Sequence, residues 1–195
     1  MLALLLTLLL VQLAGIGARD QLTVAHLVSR TGQRPALLLV AIATGALASL
    51  VAALAARQSA PEFNHQLRLL VAAIALAVGG LESIVVGPPR MAREPTHSLG
   101  AAAIVLFAHQ ITDAARMLVF AMVLATSTRY AVLGAVFGGG TALAIGWFGG
   151  EYLLRARRGL RLARACCGAA LLAAAAWAAF LAVGDADRFW RFVGS

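Results

Sequence analysis

Arg19 and Asp20 stand in the middle of an apolar run over residues 2–28. His109, Asp113 and Arg116 stand in the middle of another over 99–125, and Glu82 lies near the end of a third. An ionisable side chain inside such a run costs at least a few kcal/mol, on the order of 3, so it marks a functional candidate. Carboxylates and imidazoles in that setting bind cations and relay protons, and a guanidinium offsets their charge. Helical spacing groups them further. Gln12, Arg19, Thr23, His26 and Arg30 fall on one face of the first run, and His109, Thr112, Asp113 and Arg116 on one face of the other.

The same residues admit a structural reading. Asp113 and Arg116 are three apart and can neutralise each other along one helix. Arg19 can pair with Asp113 between helices, as glue without a transport role. His26, near a run's end, reads as an interfacial residue. Gly138, Gly139 and Gly140 read as a site of close helix packing, with a flexible gate as the alternative. Cys166 and Cys167 are adjacent in an Ala-rich run with no partner at metal or disulfide spacing, so they read as small apolar residues. No Ser/His, paired-carboxylate or zinc-type His constellation falls at mid-run, so an enzyme is not expected.

The surrounding composition says what must position these groups. Of 195 residues, 62% are hydrophobic and 12% charged, and the mean hydropathy is +0.88. A soluble domain has roughly 25% charged residues. The chain therefore reads as an integral membrane protein with the lipid bilayer as its first partner. Its net charge is +8, and all 16 basic residues are arginines. They cluster at the ends of apolar runs, which fits lipid headgroups and excludes a nucleic-acid partner.

A membrane span takes about 20 apolar residues. Six are expected: residues 2–28, 35–56, 67–86, 99–125, 130–154 and 162–183. Met1 to Gly17 lacks the positive leader of a signal peptide, so the first span is expected to be retained. Pro88 and Pro89 stop the third span. The expected organisation is a first three-helix repeat over 1–87, a linker over 88–98, a second repeat over 99–184 and an interfacial tail over 185–195. The tail sets Phe189, Trp190 and Phe192 around Arg188 and Arg191. Arg30, Arg34, Arg90, Arg93, Arg155, Arg157, Arg158, Arg161 and Arg164 follow spans one, three and five. Only Arg57, Arg68 and Arg129 follow spans two and four. This places the first set of loops in the cytoplasm and both termini outside.

A shift of 95 residues superposes Ile16 on Ile111, Val24 on Val119, Val28 on Val123, Thr31 on Thr126, Arg34 on Arg129, Ala36 on Ala131, Leu38 on Leu133 and Gly45 on Gly140. Each half then holds a long charged span, a Gly/Ala-rich span and a plain apolar span. Three spans per half is odd, so the halves are expected in opposite orientation, as in many secondary transporters.

Two stretches resemble the calcium/proton antiporter-2 family of Golgi manganese and calcium transporters and bacterial manganese exporters, in the lysine-exporter superfamily. The first is Gly15, Ile16, Gly17, Ala18, Arg19, Asp20, Gln21, Leu22. The second is Phe107 to Asp113, with Leu124, Ala125, Thr126 and the run Arg129 to Ala135. That family has six spans in two inverted three-span repeats, each opening with Glu-x-Gly-Asp-Lys-Ser/Thr. Against it, Gly17, Gln21 and Leu22 fit, and Arg19 keeps the positive charge. Gly15 and Ala18 replace two acids, and Asp20 stands at a Ser/Thr position. In the second motif Asp113 is kept. Gln110 stands for Glu, Thr112 for Gly, and Ala114 and Ala115 for the Lys and Ser/Thr.

The resemblance implies an all-α polytopic fold and a secondary transporter that exchanges a divalent cation for protons. One matched acid is a poor set for calcium, which takes six to eight oxygens. Manganese also accepts imidazole. Asp113 is the expected carrier of proton and ion. Gln110 is its first partner at the metal, His109 and Asp20 are supporting ligands, and Arg19 is a tuning charge. Manganese or calcium enters only as cargo, with no tightly bound cofactor. The rival readings are a non-transporting membrane scaffold, suggested by the missing acids, and an exporter of another small solute, suggested by Arg19 and Arg116. A homodimer is left open. The Ala-, Arg- and Gly-rich, Lys-free composition points to a bacterial inner membrane.

Overall fold

The computed structural model describes residues 1–85, 98–126 and 128–193, with side chains throughout except at 157 and 185–193. Pro88, Pro89, the linker up to Thr96 and His97, and the tail side chains Arg188, Phe189, Trp190, Arg191 and Phe192 lie outside the described set. The described residues are helical: α1 Leu2–Gly15, α2 Arg19–Thr31, α3 Pro35–Ser59, α4 His65–Val85, α5 Leu99–Ile111, α6 Ala114–Ala125, α7 Thr128–Arg155 and α8 Arg157–Val193.

Four helices are long and apolar enough to cross a membrane. They run over Pro35–Glu62, His65–Val85, Thr128–Arg155 and Arg158–Gly184. Their ends have local causes. Pro35 opens α3, where its missing N–H costs nothing. A 3-10 turn at Ala60–Glu62 follows α3, and Asn64 then caps α4 by accepting the Leu67 N–H at 2.8 Å.

The expected first and fourth spans are each two helices rather than one. α1 and α2 meet at 61°, and α5 and α6 at 57°. At 1.5 Å per residue, α1 is only about 21 Å long and cannot cross a core of roughly 30 Å alone. Each bent pair counted as one span brings the number to six. The break also ends the stripe drawn along the first run: Gln12 lies on α1, whereas Arg19, Thr23, His26 and Arg30 lie on α2.

The long helices form the frame. α3 packs on α7 and α4 on α8; α1 and α2 pack on α7, and α5 and α6 on α3. Two apolar clusters result. One joins Val11 of α1, Leu118 and Val119 of α6 and Leu171 of α8; the other joins Val24 of α2, Leu37 of α3, Leu106 of α5 and Leu143 of α7. Large apolar side chains on the outside, such as Leu39, Ile74, Ile104, Phe137, Phe148 and Phe180, are exposed. A belt of that size suits lipid rather than water.

Close approach is reached through glycine. A Cβ on Gly138 would lie 2.5 Å from the Leu8 carbonyl oxygen of α1, whereas a Cβ on Gly140 would meet nothing within 4 Å. Of the three successive glycines, Gly138 therefore sets the α1–α7 contact. Gly138→Ala should cost about 1–3 kcal/mol through overpacking. Gly140→Ala should be neutral or stabilising, since Ala is the better helix former by about 1 kcal/mol. Thermal unfolding of the two purified variants in one detergent checks the contrast.

Candidate functional site

Both helix breaks fall on the charged stretches. In the first, Ile16 leaves the helix, Gly17 takes φ +67° and Ala18 is extended. A positive φ is open to glycine and strained for other residues. The freed backbone groups are taken up inside the protein, as an apolar medium requires. The Gly17 N–H donates to Gln21 Oε1 at 2.6 Å, and the Gly17 carbonyl accepts from Arg164 Nη1 at 2.7 Å. Gln21 Nε2 in turn donates to the Ala142 carbonyl of α7 at 2.8 Å. Gln21 and Arg164 are both buried.

In the second break Thr112 leaves the helix and Asp113, extended, is the N-cap of α6. The Asp113 carboxylate does not cap its own helix. Arg116, buried one turn into α6, donates from Nη1 to the Gly45 carbonyl of α3 at 3.1 Å and to the Ser49 hydroxyl. Its Nη2 lies over Gly139 of α7. Gln110, fully buried, donates from Nε2 to the Ala41 carbonyl of α3 at 3.2 Å.

The two breaks share one electrostatic centre. Asp113 feels the charges of Asp20, Glu82 and Arg116; Asp20 feels Arg116 and His109; Arg164 feels Glu82 and Asp113. Asp20 is buried at the second position of α2, and Asp113 is half-buried at the start of α6. Both therefore sit at the positive end of a helix dipole. Arg116 and Arg164 offset these acids from a distance, without an ion pair to Asp20 or Asp113. Two polar atoms near the second break are buried without a hydrogen-bond partner, Gln110 Oε1 and His109 Nδ1. Among the described residues, no three His, Cys, Asp or Glu side chains converge at metal-ligating distance.

The remaining expected residues are spread more widely. Arg19 opens α2 as an exposed side chain and forms no ion pair with Asp113. The expected Asp113–Arg116 ion pair is not made either, because Arg116 reaches away to α3. Thr112 is exposed and its hydroxyl donates back to the Ala108 carbonyl at 3.0 Å. Thr23 bonds back to Arg19 in the same way. Gln12 Oε1 accepts from the Thr141 hydroxyl of α7. His26 is half-buried, with Nε2 enclosed and without a partner. Arg164, expected in a cytoplasmic loop, is instead 5% exposed inside α8. Ser49 joins the second break through Arg116, and the Glu82 backbone carbonyl accepts from Arg164 Nη2 at 3.3 Å. Neither Ser49 nor Arg164 stands close in sequence to the break it serves, so spacing alone does not find them.

No protein-family model, curated protein or solved structure matches this chain.

The Gly17–Arg164 contact is testable as a pair. A Cβ on Gly17 would lie 2.9 Å from Arg164 Cδ. Gly17→Ala should cost about 1–2 kcal/mol in backbone strain alone. Arg164→Ala should cost about 1–3 kcal/mol by leaving the Gly17 carbonyl unmet. The alanine at 17 should be milder once Arg164 is gone, with a coupling of about 0.5–3 kcal/mol between the two changes. A double-mutant cycle read by thermal unfolding measures it; additive losses would mean the contact is not formed.

Proposed function

We propose that this chain is a secondary transporter of the cation/proton exchange type, built as two inverted three-helix repeats in a bacterial inner membrane. The juxtaposition of the two helix breaks, each carrying an aspartate, is the observation that carries this reading. Broken spans whose half-helix ends line a polar centre are a recurrent way to build an ion site in a bilayer.

The packing supports inversion. Arg19 and Ala114, the first residues of α2 and α6, are 95 positions apart, which is the shift of the sequence repeat. α1 packs with α6, and α2 with α5. Two broken spans in the same orientation would instead match α1 with α5. Antiparallel spans crossing at their breaks match the first half of one with the second half of the other. α3–α7 and α4–α8 are then the two contacts that the repeat axis maps onto themselves.

The exchange follows from charge. Asp113 binds a proton or the cation, and Asp20, across the break, raises the cost of leaving both acids bare. Gln110 Oε1 has no hydrogen-bond partner among the described residues, nor does His109 Nδ1, which offers a lone pair in the tautomer protonated at Nε2. Manganese suits such a mixed oxygen and nitrogen set better than calcium. Arrival of the cation favours loss of the proton, which couples the two fluxes. Arg116 and Arg164 hold the breaks open through backbone carbonyls and keep the centre near neutrality.

In proteoliposomes under an imposed pH gradient, wild type should carry manganese, and Asp113→Asn should lose at least about tenfold of that flux. Asp20→Asn should slow flux less, and Arg19→Gln, on an exposed residue, least. No manganese or calcium flux from a folded sample would reject the exchange reading in favour of a non-transporting membrane scaffold.

A further inference from the structure

Arg116 serves a second space besides the break. A cavity of about 400 Å³ opens between α3, α4 and the α5–α6 bend, and Arg116 is the one charged side chain among its lining residues. Its walls are otherwise apolar, with Ala48 and Val51 from α3, Val71 and Ile74 from α4, and Met117 beside Arg116. Val51, Ile74 and Met117 are 40%, 59% and 46% exposed, so the cavity is reached sideways, from the lipid-facing surface. Along α3 it extends from Ala48 to Ala55, about 10 Å at 1.5 Å per residue.

Arg116 is incompletely matched by its neighbours. Arg116 is 5% exposed, and its two bonded acceptors, the Gly45 carbonyl and the Ser49 hydroxyl, are both neutral. No carboxylate lies within ion-pair distance among the described residues, although Asp20 and Asp113 act on it from farther away. Arg116 Nε is buried with no hydrogen-bond partner. A buried donor left unmet in a water-poor setting is costly, and a guanidinium is best met by a planar carboxylate.

We infer that this cavity binds a hydrophobic monocarboxylate, with its apolar body along α3 and α4 and its carboxylate on Arg116, entering from within the bilayer. A charged head matches the arginine, and a body of medium chain length matches the apolar walls. A short acid lacks the body and an alcohol lacks the charge. The site shares Arg116 with the second break, but its occupancy is read without any flux, so its failure and that of the exchange reading are distinguishable.

The test is equilibrium binding of labelled octanoate to the full chain in nanodiscs of zwitterionic lipid, with protein-free nanodiscs as background. Saturable binding is expected, displaced by unlabelled octanoate at least about tenfold more effectively than by octanol or acetate. Arg116→Gln should weaken binding at least about tenfold, and Arg116→Lys should restore part of it. Met117→Trp, which fills the cavity from an exposed position, should block binding while Arg116 and thermal stability are kept. That variant decides the matter if Arg116→Gln does not fold. Binding no greater than in empty nanodiscs, octanol competing as well as octanoate, or undiminished binding in Met117→Trp would each overturn the site.

Discussion

Inside a bilayer, every backbone N–H and C=O that leaves a helix must find a partner within the protein. Among the described residues the helices α1–α2 and α5–α6 break at Gly17 and at Asp113, and much of the buried polarity answers to those two events. Gln21 and Arg164 take up the groups freed at Gly17. Arg116 and Gln110 tie the second break to carbonyls of α3. These long polar side chains carry the charge and lone pairs that make the centre chemically capable.

The two breaks solve the same problem with different residues. Gln21 and Arg116 are 95 residues apart, and each reaches a backbone carbonyl on a long helix, Ala142 of α7 for Gln21 and Gly45 of α3 for Arg116. Their chemistry differs: an amide at one break, a guanidinium at the other. The acids also sit unevenly, Asp20 as the second residue of α2 and Asp113 as the cap of α6. The first break is held from α8 by Arg164, and the second is held from α3 through Arg116 and Gln110.

The long helices were readable because their signals are local. Pro35 opens α3 where the sequence placed it, and α4 and α7 begin within about two residues of the expected limits, as apolar runs with sharp edges allow. The bends were not readable, because a run of apolar residues looks alike whether or not the axis turns inside it. Gly17 was a clue to the first. Thr112 followed by Asp113, a cap signature in the middle of an apolar run, was a clue to the second. Once a helix breaks, the faces beyond it lose their phase. Arg19 lies exposed while its neighbour Asp20 is buried, since adjacent residues of α2 point about 100° apart. Arg164 was out of reach for another reason: its partner Gly17 is 147 residues away in sequence.

The central claim is that Asp113 gives up a proton when a cation enters the centre between the breaks. It is met most directly by adding manganese to the purified chain in weakly buffered nanodiscs at near-neutral pH, with a pH-indicating dye. The account predicts saturable proton release that Asp113→Asn abolishes. Saturable manganese binding with no proton released, or release unchanged in Asp113→Asn, would contradict it.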